Sequence, residues 1–131
     1  MPKTIKQSVT LPATAAQLFT MYLDSKQHAA ITGAAASVSA KAGSVFRAFG
    51  GQLSGKTLHT VPKKLIVQAW RSSGWKSGDP DSVLVLMFSP VGDSGRIDLV
   101  HINVPDHDAK GVTQGWKKYY WTPWREYLKR R

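Results

Sequence analysis

Ile5, Gln7, Val9 and Leu11 fall on one side of an extended chain, so residues 5–11 have the period of a strand with one buried face. Pro12 ends that strand. Thr14 then caps a helix over residues 15–23, with Leu18, Phe19, Tyr22 and Leu23 pointing inward. Asp24 and Ser25 start a second short helix, which runs to about Ile31 and is stopped by Gly33. Strand signals follow one another over residues 36–40, 45–49, 53–61, 65–71, 82–88 and 96–104. Between them lie turn sequences: Lys41-Ala42-Gly43, Gly50-Gly51, Pro62-Lys63-Lys64, and the stretch from Pro90 to Gly95. Gly55, inside the strand over 53–61, marks a bulge or a close backbone approach. Residues 72–81 are rich in Ser, Gly, Pro and Asp and read as a loop carrying one exposed tryptophan, Trp75.

Six aromatics crowd into the twelve positions from Trp116 to Tyr127, interleaved with Lys117, Lys118 and Arg125. At 100° per residue, Trp116, Tyr119, Tyr120, Pro123 and Tyr127 gather on one stripe, the period of an amphipathic helix over residues 112–128. Trp121 and Trp124 lie off that stripe, so more than half of the circumference is aromatic. Pro123 removes the helical bond to Tyr119 and costs roughly 3 kcal/mol inside a helix, so a kink is expected over 119–123.

The order β-αα-ββββββ-α, with short turns between consecutive strands, predicts an α+β fold built on an antiparallel meander of six to seven strands. Such a sheet must curl. The terminal helix, about 26 Å long at 1.5 Å per residue, is the element able to fill the curl, giving a helix-grip arrangement in one domain over residues 1–131.

Composition narrows the function. The chain has no cysteine, which excludes a disulfide framework, a thiol nucleophile and Cys-ligated metal. No apolar run approaches the roughly 20 residues of a membrane span, and the N-terminus lacks the apolar core of a signal peptide, so a cytoplasmic protein is expected. Eighteen Lys and Arg against eight acids give a net charge of +10. Such a field attracts polyanions and acidic proteins, although the positive residues are spread along the chain and no nucleic-acid motif accompanies them. Nucleic-acid binding is disfavoured, because the aromatics of the last helix are needed on its gripped side and a single-strand platform exposes them.

Seven segments, in this order, resemble the activator of 90-kDa heat-shock protein ATPase homologue family: His28 to Ala34, Gly43 to Phe46, Ser54 to Leu58, Ile66 to Arg71, Asp81 to Leu84, His101 to Pro105 and Gly115 to Trp121. That family is part of the START-like, SRPBCC or birch-pollen-allergen superfamily. The resemblance implies a curved antiparallel sheet around a C-terminal helix, with two short helices closing one end. It implies hydrophobic small-molecule binding between helix and sheet, as in much of the superfamily, or a chaperone-associated interaction role. In the eukaryotic co-chaperones this domain follows a separate chaperone-binding domain.

Candidate chemistry is sparse. His28, His59, His101 and His107 have no metal-ligand spacing, and most of the carboxylates stand in turn or cap contexts, so neither a metal nor another cofactor is expected. His101 alternates with Ile97 and Leu99, which points it to the concave face. There it is either a polar anchor and acid–base group, or a histidine satisfied by neighbouring groups. Trp116, Tyr119, Tyr120 and Tyr127 pack the helix or lend polar points to an apolar pocket, with Phe46 and Trp70 as the opposite wall. The residues expected to touch a ligand are Phe46, Trp70, His101, Trp116, Tyr119 and Tyr120; none is assigned as catalytic. The leading expectation is a non-enzymatic binder of a hydrophobic or amphipathic small molecule. The alternatives are an interaction module for an acidic partner or chaperone and, more weakly, a hydrolase or cyclase using His101.

Overall fold

The computed structural model describes residues 1–130. Seven strands form one antiparallel sheet in the order β1-β7-β6-β5-β4-β3-β2. They are β1 (Lys3–Leu11), β2 (Ala36–Ser37), β3 (Val45–Ala48), β4 (Leu53–Val61), β5 (Leu65–Ser72), β6 (Ser82–Val91) and β7 (Ser94–Val104). After β1 come α1 (Ala15–Leu23) and α2 (Ser25–Thr32). The chain ends in α3 (Ala109–Trp116), a π-helical turn over Lys117–Trp121, and α4 (Thr122–Arg130). This is the helix-grip architecture, with all four helices on the concave side.

Local chemistry sets the first elements. The Thr14 hydroxyl accepts from the Gln17 N–H at 3.1 Å, and the Gln17 side chain accepts from the Thr14 N–H at 2.9 Å, a reciprocal cap that fixes the start of α1. α2 stops at Gly33, whose φ of 77° is open to glycine without strain. The concave faces of β5, β6 and β7 align in register: Ile66 opposes Leu86 and Leu86 opposes Leu99, all nearly inaccessible. Phe19 of α1 meets Phe88 edge-on, with centroids 5.6 Å apart. Gly55 is a close approach: a Cβ there would lie 1.8 Å from the Ala69 carbonyl oxygen and 2.7 Å from the Phe46 ring. A bulge interrupts β4 nearby, between Thr57 and His59, and adds to the bend of the sheet.

Three expectations are corrected. β6 and β7 pair as far as Val91 opposite Ser94, so a two-residue turn at Gly92 and Asp93 replaces the six-residue connection, and Pro90 sits within a strand. Trp75 is buried (7% exposed), because Arg71 pins its loop through the carbonyls of Lys76 and Asp79 and the carboxylate of Asp81. The indole N–H of Trp75 donates to Asp108 at 2.7 Å.

The third correction concerns the helix. Its buried residues are Trp116, Tyr120, Trp121 and Trp124, whereas Tyr119 is 49% exposed and Tyr127 only partly buried. The kink expected at Pro123 takes the form of the π turn, in which the Thr122 N–H bonds to the Lys117 carbonyl, five residues back. A π turn inserts one residue into the helical phase. Beyond it, Trp124 takes the inward position expected of Pro123, Tyr127 and Leu128 both pack partly buried against the core, and Trp121 joins Trp116 in a stack at 5.4 Å. Each buried ring contributes on the order of 3 kcal/mol, which outweighs the loss of one helical bond at the proline.

Candidate functional site

A pocket of about 270 Å³ opens between α3 and the β3–β5 side of the sheet. Trp70 of β5 forms its floor with Leu53. Trp116 and Tyr120 form one wall, and Phe49 faces Tyr119 across the rim at a centroid distance of 5.7 Å. On the helical side Gly111 and Gly115, one turn apart, leave gaps between Val112, Trp116 and Tyr119. A Cβ on Gly115 would have ordinary contact, 3.6 Å from the Tyr119 ring, so this glycine leaves room that an alanine would occupy. Gln52, Ser72 and Asp108 bring the polar edges.

Phe49 has a φ of 53° and is followed by Gly50 at 66° and Gly51 at 99°. A non-glycine residue in that region costs roughly 1–3 kcal/mol and persists where packing over-determines it. Here the left-handed turn swings the Phe49 ring against both Tyr119 and Tyr120, the latter also at 5.7 Å.

Behind this wall two histidines tie the terminal helix to the rest of the fold. The Trp116 indole N–H donates to His101 Nδ1 at 3.1 Å, so the ring proton sits on Nε2. That nitrogen donates to Ser82 Oγ at 2.8 Å, and Ser82 donates in turn to the Trp70 carbonyl at 2.6 Å. His28 repeats the arrangement: its Nδ1–H donates to the Tyr22 carbonyl at 2.7 Å, and its Nε2 accepts from the Tyr120 hydroxyl at 2.9 Å. Burial pulls the His101 pKa down to about 3. Burial also lowers that of His28, against an opposing contribution from the Tyr22 carbonyl. The Tyr120 hydroxyl is pushed upward by burial, and by Tyr22 beside it. Both rings are therefore neutral at pH 7, with every ring nitrogen occupied.

Of the six residues nominated from sequence, the pocket brings together Trp70, Trp116, Tyr119 and Tyr120. Phe46 is not among its lining, because it is inaccessible and lies across Gly55. His101 is not either: it has no exposed surface, and its ring stands edge-on to Trp70 at 4.6 Å. Phe49, His28, Asp108 and Gly115 were not nominated. Phe49 was legible as a bulky residue before two glycines, and His28 and Gly115 stood inside the resembling segments. Among the described residues no group of three His, Asp or Glu side chains is placed to hold a metal ion, and no helix is long and apolar enough to cross a membrane.

Two short helices after β1, a seven-stranded sheet and a terminal helix docked on His28 of α2 and His101 of β7 form one pattern, and residues 12–129 match the family described as Activator of Hsp90 ATPase homolog 1-like protein. The chain belongs to that family. It is similar to human activator of 90 kDa heat shock protein ATPase homolog 1, with 26% identity over 104 residues, covering 79% of this chain and 30% of the human protein. A Schizosaccharomyces pombe protein of unassigned role is 27% identical over 119 residues, which cover 91% of this chain and 35% of that one. The chain thus spans about a third of the length of these relatives. In fold, it is similar to an HSP90 activator from Plasmodium falciparum (TM-score 0.81, 20% identity, 91% of each chain). It is also similar to the Aha1 dimer from Colwellia psychrerythraea (TM-score 0.73, 14% identity, 89% of this chain and 90% of that one).

Proposed function

We propose that this domain is a non-enzymatic, chaperone-associated interaction module that engages a 90-kDa heat-shock protein and modulates its ATPase. Family membership over residues 12–129 carries this reading. The net charge of +10 supports it, since a field of that size steers and orients an acidic partner. The test is to titrate the chain into the 90-kDa chaperone of its own host and measure binding and ATP hydrolysis. Saturable binding with a changed hydrolysis rate is expected. Affinity should fall steeply between about 50 and 300 mM salt, because exposed charges are screened within roughly 8–10 Å. Absence of binding at low salt would remove the chaperone role, and salt-independent binding would remove the basic surface from the mechanism.

A second reading, a small apolar ligand held in the pocket, is favoured by the space that Gly115 leaves beside Trp116 and Tyr119. Replacing a helical glycine by alanine stabilises by about 1 kcal/mol where space allows, and here it does. Gly115→Ala is expected to raise stability by that amount while weakening an apolar probe, read by quenching of tryptophan fluorescence, about tenfold. Unchanged probe affinity would make the pocket a packing defect.

A further inference from the structure

An antiparallel sheet with one face in solvent ordinarily alternates apolar and polar side chains. β6 does not: Val83-Leu84-Val85-Leu86-Met87-Phe88 is apolar throughout, and β5 is nearly so from Leu65 to Trp70. Leu84, Leu86 and Phe88 face the core, which sends Val83, Val85 and Met87 to the outer, convex face. Cross-strand register gathers the outward residues into rows. Val67 opposes Val85, which opposes Val100; Ala69 opposes Val83, which opposes Ile102. These six are half-buried by one another or exposed, Ile102 to 41%, and Met87 beside them is 39% exposed. With strands about 4.8 Å apart and same-face residues about 7 Å apart, these seven residues cover on the order of 240 Å². Isolated valines on a solvated strand follow from β-propensity. Two adjoining rows without a polar member approach the size at which apolar patches on monomers are often functional.

The edges of the patch carry charge. Lys6 stands opposite Val100 at one end of the first row, and Lys56 stands opposite Ala69 at the far end of the second. Both are exposed, and neither forms an ion pair among the described residues. On the same face Arg71 pairs with Asp81 at 2.7 Å and Arg96 with Asp98 at 3.0 Å. A second copy is a poor occupant, since two patches meeting would bring together four unpaired lysines on chains of net charge +10.

We infer that the outer face of β5, β6 and β7 is a docking surface for a protein segment with apolar side chains edged by carboxylates. This rests on the interaction-module reading and adds the place and the chemistry of the contact. The experiment uses an eight-residue peptide alternating Val and Glu, titrated into isotope-labelled protein at about 50 mM salt and followed by amide shifts. Shifts over the outer positions of β5–β7 are expected. Affinity should fall tenfold or more in Lys6→Glu/Lys56→Glu, and at least threefold in Val85→Thr, which keeps a strand-forming residue. Lys117→Glu/Lys118→Glu changes the charge equally on the exposed side of the terminal helix and should cost less than twofold. Shifts centred on Trp116 to Tyr120, no shifts at millimolar peptide, or equal losses in both double variants would each overturn the inference. So would a concentration-dependent dimer that Val85→Thr weakens, which would give the face to a second copy. The same variants titrated against the 90-kDa chaperone keep the two proposals apart. Chaperone binding indifferent to outer-face variants sinks this inference alone, and peptide docking without chaperone binding sinks the chaperone reading alone.

Discussion

His28 and His101 hold one proton each and share it inside the protein, the first with the Tyr22 carbonyl and the second with Ser82. Each leaves its other nitrogen to accept from the terminal helix, from Tyr120 and Trp116 respectively. Protonating His101 would set a donor against the Trp116 indole N–H, which can only donate, whereas protonating His28 would make the Tyr120 hydroxyl turn and accept. Burial depresses both pKa values, that of His101 to about 3 from 6.5. Between those values the unfolded chain binds more protons, so stability is full above about pH 6.5 and declines as pH falls toward the folded values. Well inside the window His101 contributes a slope of about 1.4 kcal/mol per pH unit, and His28 adds to it in the same direction. The depressed carboxyls Asp79, Asp98 and Asp106 act only below about pH 4, where their bonds are lost. Urea unfolding between pH 7 and 4.5 thus isolates the histidines. His101→Gln, which can still accept from Trp116 and donate to Ser82, should lower the slope by about 1.4 kcal/mol per pH unit. An unaltered slope would show that His101 is not the titrating group.

The terminal helix carries its own internal correction, the extra residue of the π turn. If phase is what the turn supplies, deleting Tyr119 should restore an unbroken α-helix, with Trp116, Tyr120, Trp121, Trp124 and Leu128 still on one stripe. Pro123 would then strike the carbonyl one turn earlier, so the deletion alone should lose about 3 kcal/mol and the deletion with Pro123→Ala much less. Deleting Gln114 instead turns Val112 out of phase with everything after it and should abolish cooperative melting. If the two deletions behave alike, the π turn has no phasing role. The sequence could not reveal this, because Pro123 announces a break but not which way the stripe moves. The outcome depends on which rings the sheet and α1 accept, and Trp124 is drawn in against Tyr22, about a hundred residues away, at 6.5 Å. Elements written in local chemistry were legible: the Thr14–Gln17 cap, the Gly33 stop, the close approach at Gly55. The site was half legible, since parity along β5 and β7 points Trp70 and His101 inward but says nothing of which one meets open space. Trp75 looked solvent-facing in its polar loop because its partner, Asp108, lies 33 residues on.

At the scale of the molecule, the core is closed by what lies far apart in the chain. β1 pairs along its length with β7, residue 3 with 104 and residue 11 with 95, and the last helix roofs the sheet they share. Contacts of such long sequence separation make for slow folding. The consequence reaches back to synthesis. A ribosome adding about 5–20 residues per second needs roughly 5–20 s between finishing β1 and delivering β7. During that interval the first strand has no neighbour, and the apolar faces of β5 and β6 emerge before Trp116 and Trp124 exist to cover them. A protein whose family is named for service to a chaperone is, while being made, a chain with its own sticky strands on display.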